Sequence, residues 1–232
     1  MKYDIVYILK NNMESDEIRY SLRSVEKNFP YRKIWFVGGK PRGIVPDEYM
    51  EYMQQGDSKW KRSTSAVAAA CRNDDITEDF WLFNDDFFVM KRIRVLKPMI
   101  RGTLLQRCRD IEAKNNGFQS GYTRQLRRTM HMLKINGYPQ LDYALHIPML
   151  INRKKALEVM NVFPDNPMFR SLYGNYWGIE AEKMSDVKVT SKTACPMDTR
   201  FLSTDDSSFY HGEVGKFIRE CFPEPSKYEC EE

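Results

Sequence analysis

The sequence predicts a mixed α/β fold built on a parallel sheet, with an acidic cluster at the ligand-binding edge of that sheet. Strand, helix and strand follow one another between Asp4 and Val37, the order of a right-handed βαβ unit. Its strands are continuous apolar runs, the pattern of strands buried on both faces. A further run, Phe80-Trp81-Leu82-Phe83, stops at Asn84-Asp85-Asp86-Phe87. Open α/β sheets bind ligands at the carboxyl ends of their strands, so this acidic pair falls where a ligand site is expected.

The elements can be read in order. Residues 4–9 (Asp-Ile-Val-Tyr-Ile-Leu) form the first strand. Residues 16–29 form a helix, because Ile18, Leu22, Val25 and Phe29 recur at helical spacing. Ser15 or Asp16 can cap it, and Pro30 stops it. Residues 33–37 form a second strand, closed by Gly38-Gly39, and residues 59–72 an alanine-rich helix. Two basic helical segments follow over 103–115 and 122–135, read as an insertion over about 100–137 within one domain spanning 1–232. They carry Arg107, Arg109, Lys114, Arg124, Arg127, Arg128 and Lys134. Residues 153–160 and 169–179 read as helices, and 187–189 and 200–203 as short strands. Residues 224–232 read as a frayed end.

Composition bounds the function. The chain has 232 residues, 42% of them hydrophobic and 13% aromatic, which suits a folded domain and excludes a disordered one. A net charge of +4 and a pI near 8.7 permit a phosphorylated or polyanionic partner without demanding one. No apolar run is long enough to span a bilayer, and no secretory leader is visible. The five cysteines form no Cys-x-x-Cys pair and no zinc pattern with the three histidines. Reduced thiols and a cytoplasmic location, in a bacterium or a virus-infected cell, are expected.

Several side chains stand out chemically. Hard carboxylate oxygens such as those of Asp85 and Asp86 suit Mg²⁺ or Mn²⁺, and such an ion can bridge a diphosphate. Taken alone, the same residues also suit a turn or a helix cap. Arg19 and Arg23 lie four apart, on one helix face near the end of the first strand, where phosphate is favoured; a surface ion pair is the plainer reading. His146 stands beside a strand end. Arg170 is a charge within an aromatic block, a setting that calls for a carboxylate or an anionic ligand.

These residues resemble a known family. Arg19-Tyr20-Ser21-Leu22-Arg23-Ser24 followed by Ile34-Trp35-Phe36-Val37, then Phe83-Asn84-Asp85-Asp86-Phe87-Phe88, is similar to the Stealth family of sugar-phosphate transferases. His146-Ile147-Pro148 with Arg170, and Phe201-Leu202-Ser203-Thr204-Asp205-Asp206, follow in that family's order. The resemblance implies a Rossmann-like nucleotide-sugar transferase fold, GT-A-like, with a mixed sheet and a helical insertion. It implies a nucleotide-diphosphate sugar donor and a divalent cation on Asp85 and Asp86. His146 would act as base, with Asp205 or Asp206 completing the metal site or orienting the acceptor. Arg19, Arg23, Arg170 and Ser63 would bind donor phosphate. The chain departs from the family at Lys10, which replaces an acidic residue, and at Lys61-Arg62-Ser63; both changes add positive charge near the donor.

The expected activity is therefore transfer of a sugar or sugar-1-phosphate to a hydroxyl on a glycan or other polymer. Arg124 and Arg127 are expected to hold the acceptor. Two further readings stand beside it: a sugar transferase acting on modified DNA, whose phosphates the basic helices would track, and a non-catalytic polyanion-binding protein.

Overall fold

The computed structural model describes residues 2–11, 16–164, 168–190 and 195–230. Ser15, proposed as a helix cap, and the last two residues of the chain lie outside them.

The first half alternates as expected. Strand β1 (Asp4–Leu9) leads into helix α1 (Glu17–Asn28), then β2 (Ile34–Gly38), β3 (Glu48–Glu51), α2 (Lys59–Arg72) and β4 (Asp79–Phe83). Short strands β5 (Phe87–Val89) and β6 (Met99–Ile100) precede the basic helices α3 (Leu104–Lys114) and α4 (Gly121–Ile135). The rest comprises β7 (Met149–Asn152), α5 (Arg153–Val162), α6 (Phe169–Tyr176), β8 (Glu182–Lys183), β9 (Lys188–Val189), β10 (Phe201–Thr204), α7 (Asp206–His211) and α8 (Glu213–Cys221).

The main sheet has the order β3-β2-β1-β4-β7. The first four strands are parallel, and β7 closes the edge antiparallel to β4. Both faces are covered, which explains the continuous apolar runs. Ile5, Tyr7 and Leu9 face α1 through Ile18, Leu22 and Val25. Val6, Phe80 and Leu82 face α2, α5 and α6 on the other side, with Leu104, Leu126 and Leu133 of the basic helices joining the same core. A second sheet, β5-β10-β9, pairs Ser203 with Phe87 on one side and with Lys188 on the other.

Two local expectations are corrected. Asp16 does not cap α1: its backbone is already helical, at φ −75° and ψ −9°, and its carboxylate pairs with Arg19 instead. Residues 206–221 form α7 and α8. The chain end is docked rather than frayed: Tyr228 is buried, its carbonyl accepts from the Val45 N–H, and Glu229 holds Arg23 at 2.6 Å.

Candidate functional site

Helix α1 follows β1 on one face of the sheet, and α2 precedes β4 on the other. The chain thus reverses its winding between β1 and β4, the position where open sheets leave a crevice at their carboxyl edge. Lys10 follows β1 there and Asn84-Asp85-Asp86 follows β4.

The other three sequence islands supply contacts to the segment from Asn84 to Val89. From α1, the Ser21 hydroxyl donates to the Phe87 carbonyl at 2.6 Å, and the Val89 N–H donates to Ser24 at 2.9 Å. These serines hold β5 and so set the turn that carries the acidic pair. From β10, the Ser203 hydroxyl donates to Asp86 Oδ2 at 2.8 Å. The His146 ring meets the Phe87 ring edge-on at 6.4 Å, and the Arg170 guanidinium lies 5.3 Å from the same ring.

The acidic pair is asymmetric. Lys188 of β9 donates to Asp86 Oδ2 at 2.6 Å. The Asp85 carboxyl is pushed up to about 6, first by burial and then by the neighbouring charge of Asp86; its own backbone N–H, Lys10 and Lys188 act in the opposite direction.

His146 Nδ1 lies 3.0 and 2.9 Å from the two carboxylate oxygens of Asp186, whose Oδ1 also accepts the His146 backbone N–H at 3.1 Å. Arg101 Nη2 stands 2.5 Å from Asp186 Oδ2, and Arg101 Nη1 is 3.5 Å from the buried Asp142. Burial alone would raise the Asp186 carboxyl. The His146 hydrogen bond and the charges of His146 and Arg101 outweigh it and hold the group well below the usual carboxylate range. A carboxylate on Nδ1 fixes the imidazole orientation and leaves Nε2 as the atom able to accept a proton.

Arg170 runs behind the β4 end. Its Nη1 donates to the Ile147 carbonyl at 2.6 Å and to Leu145 at 3.3 Å, and its Nη2 to Leu82 at 3.3 Å. Burial pushes it down to about 10, partly offset by Asp86, so it stays charged at neutral pH. Its terminal N–H groups hold backbone carbonyls on either side of His146, and the bidentate phosphate fork expected from the sequence is not the arrangement present. Arg170 nonetheless lines an open cleft of about 140 Å³ with Ser63, Thr64, Asn84 and Trp60. Trp60 stacks on Tyr122 of α4 at 6.5 Å.

Other candidates lie elsewhere. Arg19 donates to the Arg42 carbonyl, and Arg23 to Glu229 and to the carbonyls of Phe222 and Pro223. Both side chains tie α1 to neighbouring loops and to residues 222–229. Asp205 caps α7, accepting the Ser208 N–H at 2.8 Å, and Asp206 is exposed on its first turn. Arg127 is held by Glu112 of α3 through hydrogen bonds of 2.8 to 3.0 Å, whereas Arg124 is exposed and donates to the Gln119 carbonyl.

Mg²⁺ and Mn²⁺ prefer about six oxygen ligands in octahedral array. The chain offers two adjacent carboxylates, and one oxygen of Asp86 already accepts from both Lys188 and Ser203. Among the described residues no group of three or more His, Cys, Asp or Glu side chains could hold a metal ion. Without donor phosphate and water, the described side chains do not complete the ligand set of a divalent cation.

Sequence reasoning missed Asp186 and Lys188. A lone Asp-Val-Lys at the start of a short strand carries no spacing signal. Only the folded chain brings these residues to His146 and Asp86.

No protein-family model and no curated protein matches the chain, so the Stealth resemblance rests on its four islands. Among solved structures, it is similar to the galactosyltransferase LgtC in complex with donor and acceptor sugar analogues, at 11% identity and a TM-score of 0.51, covering 97% of this chain and 96% of that one. An active-site mutant of LgtC superimposes at a TM-score of 0.50 and 11% identity, over 97% and 98% of the two chains. The likeness is one of architecture: this chain has the mixed α/β GT-A fold.

Proposed function

We propose that this protein transfers a sugar from a nucleotide-diphosphate donor to a hydroxyl group of a glycan or other polymer. The observation that carries this reading is that His146, oriented by Asp186, packs on Phe87, which directly follows the Asp85–Asp86 pair at the crevice between β1 and β4 in a GT-A fold. The donor would enter the cleft lined by Ser63, Asn84 and Arg170, with the Arg170 charge contributing to the field that meets its phosphates. His146 Nε2 would take the proton of the acceptor hydroxyl, and Asp186 would orient the ring. The Trp60–Tyr122 stack at the cleft offers an apolar platform for a sugar ring or base. The described side chains alone do not complete the ligand set of the divalent cation that the Stealth resemblance implies.

The test separates sugar transfer from sugar-phosphate transfer. Purified protein is incubated with a panel of nucleotide sugars, and the released nucleotide is identified. Sugar transfer or donor hydrolysis releases a nucleoside diphosphate; sugar-phosphate transfer releases a monophosphate. Release of a diphosphate that stops in His146→Ala is the expected result. Release of a monophosphate would move the reading to the Stealth chemistry. No release from any donor would overturn it.

A further inference from the structure

The Lys188–Asp86 pair lies at the acidic turn that follows β4. Lys188 and Ser203 are register partners in the β9–β10 ladder, and Ser203 faces Phe87 across β10 and β5. This three-stranded ladder fixes the ammonium 2.6 Å from Asp86 Oδ2. The Lys188 side chain keeps 26% of its surface exposed, against 13% for Asp86. An ammonium carries three donors, and Asp86 takes one of them. Lys10, at the end of β1, acts on the other carboxylate, Asp85. Asp86 thus already has a counter-charge, built from the chain itself.

Resting on the transferase reading above, we propose that Lys188, anchored by Asp86, takes the place of a divalent cation and neutralises the donor diphosphate. The bond between the anomeric carbon and the phosphate oxygen breaks, and its electron pair stays on the diphosphate. The acceptor oxygen bonds to that carbon, and its proton passes to His146. The negative charge gained by the leaving diphosphate falls beside the Lys188 ammonium, which needs no reorganisation to meet it. Asp86 acts as a positioning residue for the lysine. A divalent ion on Asp86 would share its carboxylate with that ammonium, and the repulsion between the two cations disfavours it.

The experiment measures binding of nucleoside diphosphates by calorimetry, first in excess chelator and then with Mn²⁺, in parallel with Mn²⁺ uptake by electron paramagnetic resonance. Wild-type protein is expected to bind its nucleoside diphosphate in chelator, with affinity changed less than about threefold by Mn²⁺. Lys188→Met should lose affinity in chelator by a factor on the order of ten, the size of one charge-assisted hydrogen bond. It should gain Mn²⁺ uptake as Asp86 is vacated, and Lys188→Arg should retain chelator-resistant binding. Wild-type binding that collapses in chelator and returns with Mn²⁺ overturns the inference and leaves the transferase reading intact. That wild-type comparison decides the matter even if Lys188→Met fails to fold. Absence of binding by every nucleoside diphosphate, with or without Mn²⁺, overturns the transferase reading and this inference with it.

Discussion

His146 Nδ1 and the Asp186 carboxylate face each other at 2.9 and 3.0 Å, across forty positions of sequence. The same carboxylate accepts the His146 backbone N–H, so ring and main chain are held by one side chain. With Arg101 behind Asp186, the arrangement is a clamp that presents Nε2 of the imidazole in one orientation.

Asp186→Asn tests the clamp in turnover. The amide keeps the shape but loses the charge that holds the Nδ1–H tautomer. The turnover number should fall by a factor on the order of a hundred, the low end of general acid–base contributions, with the donor Michaelis constant little changed. A mutant with wild-type turnover would show that Asp186 only packs against His146.

The same carboxylate predicts a pH effect on stability. The folded Asp186 group lies below its unfolded value, so its contribution is fully present above an unfolded pKa of about 3.9 and is lost as pH falls through the folded value. At neutral pH, Asp186→Asn should therefore melt below wild type. The gap between the two melting temperatures should narrow as pH is lowered beneath about 4. A gap that stays constant down to the lowest pH at which both fold would show that the carboxylate is not the source of the difference.

Arg170→Lys separates a structural role from a phosphate-binding one. A lysine keeps the charge but cannot span the carbonyls of Leu82, Leu145 and Ile147. The ligand-free protein should lose about 1–3 kcal/mol in urea unfolding, as for buried acceptors left unsatisfied. Unchanged stability with donor affinity alone reduced would return Arg170 to the phosphate fork expected from the sequence.

Arg124 probes the basic helices. Arg127 is neutralised by Glu112, so Arg124 is the better reporter of an anionic acceptor. Arg124→Glu should raise the acceptor Michaelis constant severalfold at low salt. The effect should vanish in about 1 M salt, where charges are screened within about 3 Å. Coincident wild-type and mutant values at all ionic strengths would exclude Arg124 from acceptor binding and count against a polyanion.

The sequence by itself determined the parallel core β1, β2 and β4, the helices α1 and α2 between them, and the acidic turn at the end of β4. These features are local: continuous apolar runs, helical periodicity and a strand-end motif are written in neighbouring residues. His146 and Arg170 were legible as unusual side chains, but not what they touch. Only the tertiary structure decided that Arg170 holds carbonyls, that Arg19 and Arg23 bind loops and the chain end, and that Asp205 caps α7. It alone brought Asp186 to His146 and Lys188 to Asp86, the latter across 102 positions. Each of these pairings depends on how β5, β10 and β9 assemble. That assembly buries Phe88, Val189, Leu202 and Phe209 together; residues 187–189 and 200–203 read as strands in the sequence, but nothing in such short runs says which strand pairs with which. A charged side chain's partner is set by which backbone the core brings beside it, and no spacing along the chain encodes that distance.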